Sequence, residues 1–432
     1  MIDKDLLDLS FETQCVHAGY KAGPGQPQVP GIFQNTTYRY YNAEDVAKLF
    51  DLESGNYMYS RLGNPTVTFL EDKMAMLEGG TAAVAAASGM AAVFMAVCNI
   101  CQAGDHILSA SNIYGGTFNL FNVTLRRFGI EVTFVNQDSS LEELQAQVMP
   151  NTKLIFAETL GNPALSVLDF EKFAALSKSE GIPLMVDNTL ATPALCKPLT
   201  LGANIVINST TKFADGHASC MGGVVVEGGN FNWASSNKFP TLTGPDESYH
   251  GLNFYQKFGN TAFSTRLRAV MLRDFGSTMS PMNAYLTCQG LQTLHVRMEK
   301  HSDNASSLAR LLKVHPQVEW VSYPGLPATT YYDLGKKYLP DGCGGVLSFG
   351  VKGGRAAGEA LLANLKLASQ VVHVGDIRTS VLHPASTTHR QLTDEQQLAA
   401  GIRPELIRVS VGLESKKDIL ADFDQALKKG AQ

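Results

Sequence analysis

Apolar and polar positions fall into three regimes along the chain. Before about residue 60, turn formers and aromatics mix without a clear period: Gly23-Pro24-Gly25, Pro27 and Pro30-Gly31 stand among Phe33, Tyr38, Tyr40 and Tyr41. Only residues 43–50 have the spacing of a short helix. An arm that is apolar yet irregular should pack on something else, either the main body or a neighbouring subunit.

The second regime opens at Asn64-Pro65, an N-cap residue followed by proline at the first helical position, and Gly79-Gly80 supplies the matching stop. Apolar runs of strand length then recur at 106–109, 131–135, 154–158, 184–187, 205–208 and 222–226. Amphipathic helical stretches such as 141–148 and 168–179 separate several of them. That alternation predicts an α/β fold with right-handed crossovers and a mostly parallel sheet covered by helices. In the third regime Leu291, Leu294, Met298, His301, Ala305, Leu308 and Leu312 recur at alternating three and four, the stripe of one long helix. Segments 345–351, 354–365, 407–413 and 417–428 then predict a smaller C-terminal α+β domain, with Ser415 and Asp418 spaced as a capping box. The expected organisation is an arm over 1–64, a sheet domain over 65–290 and the α+β domain over 291–432.

Residues 81–103 carry no charge, and the stretch is long enough to span a bilayer. Its alanine content and the Ser88-Gly89 interruption favour a buried turn running into a buried helix, so no membrane partner is expected. Met1 to Ser10 alternates acid and leucine without a basic lead into an apolar core, so no secretory signal is expected either.

Composition narrows the function classes. A 432-residue chain that is 44% hydrophobic and 17% charged can bury a large core, and it is long enough for two domains. Its net charge of −5 argues against a duplex nucleic-acid partner. Seven cysteines, odd and sparse, suit reduced thiols in a cytoplasm. The chain has no GxGxxG, P-loop or HExxH motif. Cys98 and Cys101 form a lone CxxC in an apolar helix, and His295 and His301 face different directions, so no metal site is expected.

Three features remain, each at the end of a predicted strand, where open α/β sheets bind ligands. Ser88-Gly89-Met90 leads small residues into a helix, a site where bare amides can hold an anion. Asp187-Asn188-Thr189 closes a buried strand with a carboxylate that is either a helix cap or the partner of a protonated ring nitrogen. Ser209-Thr210-Thr211-Lys212 sets hydroxyls beside an amine that is either solvated or able to form a Schiff base. Together, in this order, they point to pyridoxal 5′-phosphate.

Those motifs, with Tyr59-Ser60-Arg61-Leu62-Gly63-Asn64-Pro65-Thr66, Tyr114-Gly115-Gly116-Thr117, Glu158-Thr159-Leu160-Gly161-Asn162-Pro163 and His383-Pro384-Ala385-Ser386, give the chain a resemblance to the Cys/Met-metabolism family of fold-type I pyridoxal-phosphate enzymes over essentially its whole length. The resemblance implies a large domain of the aspartate-aminotransferase kind. It also implies a cytoplasmic homo-oligomer, at least a dimer and by family habit a tetramer.

By matching position, it makes Lys212 the cofactor-bearing lysine that moves protons between Cα and Cβ, and Asp187 the partner of the ring nitrogen. Tyr114 becomes the stacking acid/base. Ser88, Gly89 and Met90, with Ser209 and Thr211, become the phosphate cradle. Tyr59 and Arg61 match residues that reach the phosphate of a neighbouring subunit, and Asn162 and Arg408 match contacts to the substrate carboxylate. On its own terms Arg408 lies on the face of 407–411 opposite the apolar residues, either solvated or suited to a carboxylate.

Within the family, the run Ser386-Thr387-Thr388-His389-Arg390-Gln391-Leu392 and the insertion from Phe231-Asn232-Trp233 to Ser248-Tyr249-His250-Gly251-Leu252 resemble the branch that converts O-acetyl-L-homoserine and sulfide into homocysteine in methionine biosynthesis. Methionine γ-lyases commonly have cysteine where this chain has Gly116, and cystathionine enzymes commonly have glutamate where it has Val372. Both departures favour the replacing branch. His373 stands where that branch would have asparagine. A non-catalytic pyridoxal-phosphate binder is the remaining alternative, disfavoured because Lys212 and Asp187 are both present.

Overall fold

The computed structural model describes residues 4–387, 390, 393 and 403–430. Thr388, His389, Gln391 and Leu392 of the run noted above lie outside them. Seven strands form the larger sheet: β1 (Ala82–Ala86), β2 (His106–Ala110), β3 (Glu131–Val135), β4 (Thr152–Glu158), β5 (Leu184–Asp187), β6 (Ile205–Asn208) and β7 (Gly223–Glu227). Their spatial order is β1-β7-β6-β5-β4-β2-β3. The pairs β2/β3, β2/β4, β4/β5 and β5/β6 are parallel, while β7 runs antiparallel to both β6 and β1. Strands β2, β4, β5, β6 and β1 therefore all end on one edge of the sheet. Every residue of β2, β4, β6 and β7 is buried, as expected of a sheet covered on both faces.

The six expected strands are present within two residues at either end. The seventh, β1, corrects the reading of 81–103, which combines a strand with the helix Gly89–Ile100. An all-alanine and valine run has helical propensity, but Ala83 to Ala86 each pair with β7, and this partner decides the conformation. Gly80 suits the entry, since a Cβ there would lie 2.4 Å from Val226. No described helix is long and apolar enough to cross a membrane.

Helix Pro65–Glu78 starts and stops as its sequence dictates: Asn64 accepts a bond from the Thr66 N–H at 3.0 Å, and Gly79 takes a left-handed φ of 76°. The long helical stripe is split at Thr293 into Pro281–Gln292 and Leu294–Val314, and its seven apolar-stripe residues are all buried.

The smaller sheet has the order β10-β11-β12-β9-β8, from Val318–Ser322 (β8), Val346–Val351 (β9), Ser369–Gln370 (β10), Ser380–Leu382 (β11) and Leu406–Ser410 (β12). Helices Gly354–Asn364 and Lys416–Lys429 pack with it. The expected capping box at the last helix does not form. The Ser415 side chain makes no cap bond, and the Asp418 N–H instead reaches the Ser415 carbonyl at 3.0 Å.

The arm is seated on the body at its start, where helix Phe11–His17 packs against Pro65–Glu78, Pro281–Gln292 and Leu294–Val314 and the buried Cys15 carbonyl accepts Lys73 Nζ at 2.6 Å, and further contacts follow at its far end. The Phe33 N–H donates to Thr66 Oγ1 at 2.9 Å, and Asn64 Nδ2 donates to the Phe33 carbonyl at 2.8 Å. Val29, Ile32, Phe33, Tyr41, Phe50 and Tyr59 are all exposed, Tyr41 at 95%.

Candidate active site at the strand ends

The C-terminal edge of the larger sheet gathers residues that are far apart in sequence. At the end of β1, Ser88 caps the helix Gly89–Ile100: its Oγ accepts the Ala91 N–H at 3.1 Å and its carbonyl accepts the Ala92 N–H at 3.0 Å. The Gly89 and Met90 amides stand at the helix tip, where a twelve-residue helix presents unmatched N–H groups. Space here is kept by absence of side chains. A Cβ on Gly89 would lie 2.5 Å from Ser209 Cβ, and one on Gly223 would lie 2.3 Å from the Ser88 carbonyl oxygen. Three backbone segments thus converge into a cradle suited to a phosphate. The Ser209 hydroxyl borders it, whereas the Thr211 hydroxyl is engaged with Gly222, donating to its carbonyl and accepting its N–H, both at 3.1 Å.

Strand β5 delivers Asp187. Its Oδ1 accepts the Thr189 N–H at 2.9 Å and also the Thr189 hydroxyl, while no protein donor to Oδ2 is recorded among the described residues. Burial pushes this carboxyl upward against the Thr189 bonds, and among the described residues no cation pairs with it. Beyond β6, Lys212 is held in a turn by its own N–H to the Ser209 carbonyl at 3.2 Å. Burial, and after it the Arg408 charge, draw the Lys212 amine below the usual lysine range. Its side-chain contact is His373, 3.3 Å from Nζ to Nδ1. A buried carboxyl without a cation and an amine without an acid fit pyridoxal 5′-phosphate, which offers a ring nitrogen to the first and an aldehyde to the second.

Tyr114 follows β2 and is 49% exposed, open for a planar ring to stack on it. Its backbone N–H donates to Glu158 Oε1 at 2.7 Å. Sequence reasoning quoted Glu158 in a motif but gave it no role. The structure shows it at the end of β4, buried and raised well above the usual carboxylate range by that burial and by the nearby Asp187 charge. Its signal in the sequence was an acid closing an apolar strand, the same signal used for Asp187.

Arg408 on β12 meets Asn162 across the two sheets, Nη1 to Oδ1 at 3.4 Å, and donates from Nη2 to the Val372 carbonyl at 2.9 Å. Burial pulls the guanidinium down to about 10, with Tyr114 opposing, so it remains a cation at neutral pH. Arg408 is thus half-buried and engaged with protein groups on both sides of its guanidinium. Tyr59 and Arg61 stand apart from this group. The Arg61 guanidinium lies 5.5 Å from the Tyr59 ring centre, and both are exposed on the surface. Among the described residues no hydrogen bond joins either to Lys212, Asp187 or the cradle. All seven cysteines are free thiols, and no cluster of potential metal ligands occurs among the described residues.

The chain is 47% identical over 421 residues to a homocysteine synthase of Schizosaccharomyces pombe, covering 96% of this chain and 98% of that one. It is 44% identical to O-acetyl-L-homoserine sulfhydrylase 1 of Thermus thermophilus, covering 97% and 100%. A crystal structure from Campylobacter jejuni, described as an O-acetylhomoserine (thiol)-lyase with N′-pyridoxyl-lysine-5′-monophosphate, superposes with a TM-score of 0.94 at 37% identity, covering 97% and 100%. Residues 12–428 match the family model of the Cys/Met metabolism PLP-dependent enzymes, and the chain belongs to that family.

Proposed function

We propose that this protein replaces the γ-acetoxy group of O-acetyl-L-homoserine with sulfide, giving L-homocysteine and acetate for methionine biosynthesis. One observation carries the reading. An amine without an acid partner, Lys212, and a buried carboxyl without a cation, Asp187, sit at neighbouring strand ends in a chain close to relatives named for this reaction.

When bound, pyridoxal 5′-phosphate supplies an electron sink that acidifies the substrate Cα–H. The Ser88-Gly89-Met90 backbone and the Ser209 hydroxyl would hold its phosphate, joined by the Thr211 hydroxyl on release from Gly222. Asp187 keeps a proton on its ring nitrogen, which in turn returns the carboxyl to its ionised form. Arg408 and Asn162 take the substrate α-carboxylate, a bidentate match for the guanidinium. Lys212 removes the Cα proton and delivers it at Cβ, a task its depressed affinity for protons suits near neutral pH. Tyr114 would stack on the cofactor ring and serve as an acid/base near the leaving group. Gly116 and Val372 are unlike the cysteine and glutamate of the eliminating and cystathionine-forming branches, which supports sulfide as the incoming partner.

The exposed apolar residues of the arm support assembly, with Tyr59 and Arg61 completing the site of a neighbour in at least a dimer and, by family habit, a tetramer. The arm over 1–64, the sheet domain over 65–290 and the domain over 291–432 form the proposed division, and the proposed compartment is the cytoplasm. Purified protein supplied with O-acetylhomoserine and sulfide should release homocysteine and acetate in equal amounts. Methionine alone, without sulfide, should give little keto acid. Abundant keto acid from methionine would make it an eliminating enzyme instead.

A further inference from the structure

His373 reaches Lys212 from 161 residues further along the chain. The approach is fixed by backbone. Gly375 has a φ of 83°, and a Cβ on it would lie 2.6 Å from Phe213 N and 2.9 Å from the Lys212 carbonyl carbon. Glycine alone lets this segment lie against the lysine. Both flanking strands pin it: Gly375 N–H donates to Ser410 Oγ at 2.9 Å, Ser380 Oγ donates to the His373 carbonyl at 3.3 Å, and Arg408 holds the Val372 carbonyl.

Four charged groups act on the imidazole. Lys212 and Arg408 are cationic, and Asp376 and Asp215 are acidic. Both acids are already engaged, Asp376 by Arg378 at 2.9 Å and Asp215 by the Ser219 hydroxyl at 2.7 Å. Burial first, then Lys212, holds the ring below its ordinary value, so it is neutral at neutral pH. With Nδ1 as acceptor, the ring proton sits on Nε2. That Nε2 is buried and has no partner among the described residues.

We propose that His373 is a positioning residue for Lys212: its neutral Nδ1 accepts the amine N–H, aims the amine, and lets go of it when the imidazole is protonated. This rests on the reading of Lys212 as the cofactor-bearing lysine. A protonated ring cannot accept the bond and repels the ammonium, so the effect is full above the imidazole titration and lost below it.

The test follows capture of pyridoxal 5′-phosphate by the full-length, cofactor-free chain between about pH 5 and pH 8. His373→Asn keeps an acceptor that does not titrate. In the ratio of the wild-type rate to the His373→Asn rate, the ionisation of the cofactor cancels. The ratio should be level at high pH and fall below the imidazole titration towards a plateau roughly three- to tenfold lower. His373→Ala should be slower at every pH, by roughly three- to tenfold, with His373→Asn restoring most of the rate. Proton NMR of the same chain should show the His373 ring titrating below the usual histidine value and rising in Lys212→Met. A ratio that stays level, or an imidazole that ignores Lys212→Met, overturns the proposal. Capture mapped to a different lysine would instead overturn the underlying reading of Lys212.

Discussion

Two sides of the same strand ends follow opposite rules. Behind β5 and β6, Asn188 and Asn208 turn toward Glu78, donating to its Oε1 at 3.0 and 2.7 Å. Asn188 also donates to the Cys196 carbonyl at 2.9 Å and accepts from Thr159 Oγ1 at 2.8 Å. In front, Asp187, one residue before Asn188, has one oxygen held by Thr189, and Lys212, four residues after Asn208, has a histidine for company. Alternation along extended backbone sends neighbouring residues to opposite sides, so a single step in sequence separates a closed network from an open one. Glu78 has donors to satisfy it and Asp187 lacks its cation. The closed side stiffens the strand ends, and the open side is completed by what it binds.

The two sides should therefore break differently. Lys212→Ala should lower homocysteine formation by roughly a thousandfold or more while circular dichroism stays native. A variant with near-normal turnover would remove Lys212 from the chemistry. Asp187→Asn, which leaves a buried ring nitrogen without its charge partner, should cost about a hundredfold in turnover with little change in unfolding midpoint. Glu78→Gln should reverse that pattern. It replaces the Oε2 that faces Asn188 Nδ2 at 3.3 Å with an amide donor, and denaturant titration should show a loss of about 1–3 kcal/mol, with a smaller loss of activity per folded molecule.

The closed side also predicts a pH signature. Burial pushes Glu78 up to about 7 from an ordinary 4.5. A carboxyl raised on folding stabilises the native state below its unfolded value and loses that contribution as pH rises through its folded value. The stability difference between wild type and Glu78→Gln should therefore shift against the wild type from about pH 4.5 to pH 7. A difference independent of pH across that window would mean that Glu78 is not strained by ionising. The smallest effects lie at the helix caps. Ser88→Ala should cost about 1 kcal/mol, and Ser415→Ala, which loses no cap bond, should stay within about 0.5 kcal/mol.

The same contrast marks what could be read before the fold was known. Strands rich in branched apolar residues, such as Glu131–Val135 and Ile205–Asn208, announce themselves by run length, and Asn64-Pro65 with Gly79 sets a helix by local chemistry. Strand β1 does not, because an alanine run owes its extension to pairing with β7, more than a hundred residues later. Ser415 had the right spacing for a cap but not the geometry. At the site, Asp187, Lys212 and the Ser88-Gly89-Met90 turn were legible as chemistry at strand ends. The roles of Glu158, Glu78 and His373 were not, because each depends on contacts between segments remote in sequence.

The central claim is that this open side is where the cofactor attaches. Borohydride reduction of the pyridoxal-phosphate-loaded protein, followed by peptide mass mapping, reads the attachment point directly. The account predicts one pyridoxyl-phosphate adduct per chain, on Lys212. An adduct on another lysine, or none, would contradict it.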